Sequence, residues 1–265
     1  MCLASFTLFP PRTRSGSVGA YGVPLANTIG QSFGWRWAFG LIALLSLVTT
    51  ALIALNVPMD SARPNADIFT ELRALKIRQV WLTLGISAVG FGGIFCVYTY
   101  LTTIMSEIIH AKPAMISLVL GVFGFGMTLG TLACAWAADR KMMLTMGGIL
   151  LVNAAALAGF SGSSHDISEL VPVVFMIGFG GGLGTVIQSR LLQVAVGAEA
   201  MAAALNQSAF NLSNAVGPWL GGLAISAGWG LTSVGWVGSA LAMGGFAIWL
   251  LTLGDLRSED LRRSR

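Results

Sequence analysis

Charge is what this 265-residue sequence has least of. Only 10% of its residues are Asp, Glu, Lys or Arg, while 55% are hydrophobic; a soluble domain carries about 25% charged residues. Fifteen basic and eleven acidic side chains cannot coat a soluble core of this size. Disorder is excluded for the opposite reason, because too much apolar surface would be left in water. Cysteine is scarce too. Cys2, Cys96 and Cys134 are odd in number and two of them lie within apolar runs, which argues against a disulfide framework. His110 and His165 are the two histidines, and they read as ordinary loop residues. No zinc spacing or nucleophile elbow stands out. The glycine run 178–184 follows no strand and lies in an apolar stretch, so it reads as helix packing rather than a phosphate loop. Nothing in the sequence calls for a metal or a cofactor. The first 14 residues lack a basic segment ahead of an apolar one and are not expected to be a signal peptide.

Long apolar runs are what the chain has instead. A helix needs about 20 such residues to cross the hydrocarbon core. Eight charge-free runs approach or exceed that length: Ser15–Phe33, Trp37–Val57, Val80–Met105, Ala114–Ala138, Met142–Phe160, Leu170–Ser189, Met201–Ala227 and Leu231–Gly254. The expected fold class is therefore all-α, a polytopic membrane protein of about eight spans. Eight spans put both termini on one side. Thirteen of the fifteen basic residues then share that side, leaving Arg36 and Lys112 opposite. This asymmetry predicts both termini in the cytoplasm. It also accounts for the net charge of +4 without a nucleic-acid partner. Residues 58–79 form the longest connection. Ile68, Leu72 and Leu75 share one helical face there, which predicts a short helix on the cytoplasmic surface.

The spans contain no carboxylate, histidine, lysine or arginine. All eleven acids, from Asp60 to Asp260, fall outside them or at their ends, whereas proton coupling ordinarily needs such a group at depth. Uncharged polar residues do enter. Gln207, Asn211 and Asn214 form one helical stripe, expected to face protein or a water-filled cavity because a bare amide is costly in lipid. The stripe fits either substrate binding or interhelical hydrogen bonding. Asn27, Gln31, Asn153 and Gln188 carry the same two readings. Tyr98, Tyr100, Thr102 and Thr103 either line an outer vestibule or sit at the interface. Asp139 precedes the Met142 span, where it is expected to cap free N–H groups.

The chain also repeats itself. Pro24 and Pro218, Gly34 and Gly228, and Trp35 and Trp229 are each 194 positions apart. Each set closes one span and opens the next. Parallel repeats of this kind typify secondary transporters. The offset predicts that four helices of the first repeat are missing and that the chain starts inside a helix of a longer ancestor.

Four features in order resemble the major facilitator superfamily, specifically its sugar- and drug-efflux proton antiporters of the arabinose-efflux type. GVPLANTIGQSFGWRWAF, from Gly22, looks like the antiporter motif of the fifth helix. AWAADRKMML, around Asp139, looks like the second Asp-Arg loop motif, with Ala135 where a glycine is usual. NQSAFNLSNAVGPWLGGLAISAGWG resembles the eleventh helix. The span pattern matches helices five to twelve of twelve. The resemblance implies a partial fold. Residues 1–14 lie outside the family pattern, and 15–57 are the last two helices of the N-terminal bundle. Residues 58–79 are the linker, 80–254 the C-terminal six-helix bundle and 255–265 a cytoplasmic tail. It further implies a hinge or antiporter motif at Gly22, Pro24, Gly30, Gly217, Pro218, Gly221 and Gly222, and a cytoplasmic gate loop at Asp139, Arg140 and Lys141. Cavity candidates are Asn27, Gln31, Tyr98, Tyr100, Gln188, Gln207, Asn211 and Asn214. The implied function is efflux of a small molecule, a sugar or drug, in exchange for protons, by a monomer in the inner membrane. The alternative is a non-transporting remnant or a membrane-embedded assembly partner. An intramembrane enzyme would need paired carboxylates or a Ser-His pair at depth, and neither is seen.

Overall fold

The computed structural model describes residues 35–56 and 74–263. The expectations at Gly22, Pro24, Asn27, Gly30 and Gln31, and most of the linker helix, lie outside them. Every described element is helical. α1 is Trp35–Asn56, with Trp37, Phe39, Leu44, Leu47 and Leu55 exposed. One tight turn at Ala74–Lys76 precedes the main bundle, and Trp81 Nε1 donates to the Leu75 carbonyl there at 2.7 Å. α2 runs Arg78–Glu107, and α3 runs Pro113–Ser163. α4 is Ile167–Val194, α5 is Glu199–Ala224 and α6 is Ser233–Arg263.

α3 has 51 residues, about 76 Å at 1.5 Å per residue, more than twice the hydrocarbon thickness. It is two legs. Lys141 leaves the helical region at φ −146°, ψ 69°. Gly130 of the first leg and Asn153 of the second both touch the Gly180–Gly182 stretch of α4. In a straight helix those two residues would stand about 34 Å apart. The chain therefore folds back at Lys141, where the interrupted hydrophobicity predicted two spans. This fold-back corrects the capping role expected of Asp139. The residue with non-helical dihedrals is Lys141, so Asp139 belongs to the last turn of the first leg, and among the described residues its carboxylate makes no hydrogen bond.

The six membrane-length segments of α2 to α6, counting the two legs of α3 separately, thus alternate in direction. α2 and α5 are parallel, with Gly92 against Gly217 and Cys96 against Gly221. The first leg of α3 runs parallel to α4, with Gly126 on Phe175 and Gly130 on Phe179. α6 is antiparallel to both α2 and the second leg: Gly90 meets Gly245, Gly93 meets Gly238, and Gly147 lies under the Trp249 indole. Hydrogen bonds close both ends. At the basic end, Arg78 pairs with Asp255 at 3.0 Å, Gln79 donates to the same carboxylate at 2.7 Å, and Trp249 Nε1 donates to the Met143 carbonyl at 2.9 Å. At the other end, Ser161 donates to the Thr232 carbonyl at 2.8 Å.

Small residues produce these contacts. With no water to expel between helices in lipid, association depends on close backbone approach. α5 shows the pattern most clearly: Ala202, Ala209, Ser213, Gly217, Gly221 and Ala224 are its buried positions, one face at helical spacing. Large apolar side chains such as Phe125, Trp136, Leu151, Trp219 and Trp236 point outward, as a lipid-facing surface requires. Among the described residues, four helices are long and apolar enough to cross a membrane. α5 is not among them despite its 26 residues, because Asn206, Gln207, Asn211 and Asn214 dilute its hydropathy.

Candidate functional site

Two helix irregularities position the polar residues. α2 opens into a wider turn at Ile86–Gly90, and α4 tightens at Gly180–Gly182. Such departures concentrate at functional sites and hinges. From the first, Ser87 turns inward and is 2% exposed. From α4 comes Gln188, and from α5 comes Asn206. Asn206 Nδ2 donates to Gln188 Oε1 at 2.6 Å, and Ser87 Oγ lies at hydrogen-bonding range, 3.5 Å, from Asn206 Oδ1. Three helices are thereby joined through uncharged donors and acceptors, six to nine residues or roughly 10 Å from the basic end.

An aromatic group lies next to this chain, farther from the basic end. The ring centroids of Phe91 and Phe95 on α2 lie 4.9 and 5.1 Å from that of Phe210 on α5. Gly184 of α4 lies against the Phe91 ring, where a Cβ would make ordinary van der Waals contact at 3.5 Å. A neutral amide–hydroxyl chain against aromatic faces is suited to an uncharged polar solute. The amides supply directional hydrogen bonds, and the rings take apolar or CH-bearing surfaces.

The expected residues divide. Gln188 is in this chain. Tyr98 and Tyr100 are not: the Tyr98 ring packs on Phe123 at 4.7 Å, and the Tyr100 hydroxyl donates to the Pro218 carbonyl at 3.1 Å. Gln207, Asn211 and Asn214 are exposed, on the side of α5 away from its small-residue face, so the described helices do not cover the stripe. Asn206, Ser87 and Phe210 were missed. Asn206 had a readable signal, because it keeps helical register with Ala202, Ala209 and Ser213 on the buried face.

Gly217, Pro218, Gly221 and Gly222 gather at the α2–α5 seam. A Cβ on Gly217 would lie 2.1 Å from the Gly92 carbonyl oxygen, and one on Gly221 2.7 Å from Cys96 Sγ. α5 continues through Pro218 as one helix. Its irregular segment comes later, at Ile225–Trp229, where Gly228 adopts a φ of 85°, and Gly230 just beyond it one of 82°. Asp139 and Arg140 are exposed at the fold-back of α3, and the Arg140 guanidinium stacks over the Trp136 ring at 3.6 Å. Outside the membrane segments, Asp166 caps α4. It accepts from the Ser168 N–H at 2.9 Å and the Ser168 hydroxyl at 2.8 Å, and these bonds hold its carboxyl below the ordinary range.

Alternating membrane-length helices packed along glycine seams define a polytopic α-helical membrane-protein fold. The family model of the Major Facilitator Superfamily matches residues 15–205 and 83–264. This chain belongs to that superfamily. It is 30% identical to the inner membrane transport protein YdhP of Escherichia coli strain K12 over 242 residues, 90% of this chain and 61% of that protein. It is 31% identical to a probable sugar efflux transporter of Haemophilus influenzae strain PittGG over 237 residues, 87% of this chain and 58% of that one. The chain thus spans about three-fifths of the length of these relatives.

Proposed function

We propose that this chain takes part in efflux of a small uncharged molecule, a sugar or a drug, across the inner membrane, in exchange for protons and by alternating access, and that it has no enzymatic activity. The observation that carries the reading is the Ser87–Asn206–Gln188 chain beside Phe91, Phe95 and Phe210. It links three helices through groups able to exchange an intramolecular hydrogen bond for one to a solute. The sugar-efflux relative supports the substrate class. In this reading the Gly217–Pro218–Gly221–Gly222 seam is the packing surface that moves, Asp139, Arg140 and Lys141 form a cytoplasmic gate, and both termini face the cytoplasm. Residues 80–254 form the C-terminal bundle, and 15–57 supply the last two helices of the other.

The test is uptake of labelled sugars and of a fluorescent drug into inverted membrane vesicles holding the chain, with and without a pH gradient. Gln188→Leu and Asn206→Leu are each expected to lower the initial rate about five- to tenfold, the scale of one lost hydrogen bond. Rates unchanged in both variants would remove the site from the reading. The alternative reading is a membrane-embedded assembly partner, or a chain with no transport activity of its own. Transport that appears only on co-expression with the first four helices of a family member would establish that one.

A further inference from the structure

Asn153 sits on the second leg of α3, 1% exposed. Neither its amide nitrogen nor its carbonyl oxygen has a hydrogen-bond partner. Buried side-chain amides are nearly always bonded, and an unbonded one is costly. Its neighbour is specific. A Cβ on Gly180 would fall 2.6 Å from Asn153 Oδ1 and 3.1 Å from Nδ2, so the amide lies directly against the backbone of α4 at the first residue of its glycine run. There the Leu183 N–H turns to the carbonyl of Gly180, three residues back. Thirteen helical residues precede the run and twelve follow it, which places it at mid-membrane.

The run itself also lies against the first leg of α3, with Gly182 on the Gly130 carbonyl, but the helix on its two sides is held differently. The outer half of α4 is keyed to the first leg of α3 backbone against backbone, with Gly126 on the Phe175 carbonyl and Gly178 on that of Phe123. The inner half carries Gln188 and its bond to Asn206. Beside Asn153 the backbone of the second leg is tied to α6, where Ser239 Oγ donates to the carbonyl of the adjacent Ala154 at 2.9 Å.

We propose that Asn153 is a positioning residue, a latch whose amide hydrogen-bonds backbone groups released when α4 bends further at Gly180–Gly182. The bend moves Gln188 away from Asn206. The present state leaves the amide unpaired, so the second state gains what this one lacks. The latch rests on the Gln188–Asn206 contact being the working end of α4, but the bend can be read without transport.

The test uses the full chain in lipid nanodiscs, with Cys2, Cys96 and Cys134 replaced by Ala. Spin labels go at Leu144→Cys and Leu192→Cys, both exposed and close to the basic end on the second leg of α3 and the inner half of α4. Double electron–electron resonance is expected to show two distance populations. Asn153→Leu, which removes the amide at similar volume, is expected to shift their ratio about tenfold toward the present state and to raise Tm. Asn153→Ala, which needs no extra space, is expected to deplete the same population. A single population in the unsubstituted chain, or an unchanged ratio in both variants, overturns the latch. The ratio is read without substrate, so failure of transport would refute the proposed function and leave this result standing.

Discussion

Gly217→Ala adds one methyl group to the α2–α5 seam, and the structure sets its cost. The new Cβ would lie 2.1 Å from the Gly92 carbonyl oxygen and 3.2 Å from the Cys96 backbone nitrogen. Both are main-chain atoms of a packed helix, so neither can rotate away. The helices must separate by about 1 Å, and overpacking of this kind costs about 1–3 kcal/mol. Separation also stretches the Tyr100–Pro218 hydrogen bond, now 3.1 Å, whose loss adds about 1 kcal/mol. Against these stands the helix-propensity gain of Ala over Gly, about 1 kcal/mol. The net expectation is a loss of about 2 kcal/mol. Gly121→Ala is the control, because a Cβ there meets nothing within 4 Å, and it is expected to be neutral or slightly stabilising. Thermal unfolding in detergent, followed by maleimide labelling, reads both, since Cys96 and Cys134 are free and buried and react as the bundle opens. Cys2 is replaced by Ser to clear the background. Equal midpoints for the two variants would refute the claim that backbone contact, rather than glycine content, holds the seam.

Asp255→Ala is expected to destabilise by about 1–2 kcal/mol, because it removes the acceptor of the buried Gln79 amide. Arg78→Ala should cost less than Asp255→Ala, because the Arg78 side chain is 74% exposed and the carboxylate it leaves keeps the Gln79 donor; chemical denaturation of the two variants side by side decides it. Trp249→Phe keeps the ring but deletes the donor to the Met143 carbonyl, for an expected loss of about 1 kcal/mol in the same assay. The Asp166 cap carries a pH dependence. Its carboxyl is held down by the two Ser168 donors, so its contribution is complete at neutral pH and disappears as the pH falls below about 4. Asp166→Ala should therefore weaken amide-exchange protection in the first turn of α4 at pH 7, and the difference should shrink as the pH is lowered through and below the ordinary carboxylate range. A difference that grows on acidification would contradict the assignment.

Within the described residues the spans were legible because the lipid imposes a single demand over some twenty residues, and hydrophobicity reports it directly. The fold-back at Lys141 was legible for the same reason, as the point where Asp139, Arg140 and Lys141 interrupt that run. The polar site was harder, and α5 shows why. Polarity within a span says that a side chain avoids lipid, but not which neighbour it meets. Gln207, Asn211 and Asn214 form the more regular stripe, yet Asn206, one residue and about 100° of rotation away, is the one bonded to Gln188. The direction of a helix face in a membrane bundle is set by where backbones can touch, hence by its smallest residues. Ala202, Ala209, Ser213 and Gly217 fix that direction and carry Asn206 inward with them. The second obstacle is that sites here need irregular helices. Ser87 reaches Asn206 from a widened turn, and Gln188 stands beyond a tightened one. A uniform 3.6-residue period, the assumption behind every stripe drawn from sequence, accumulates its error at those two places.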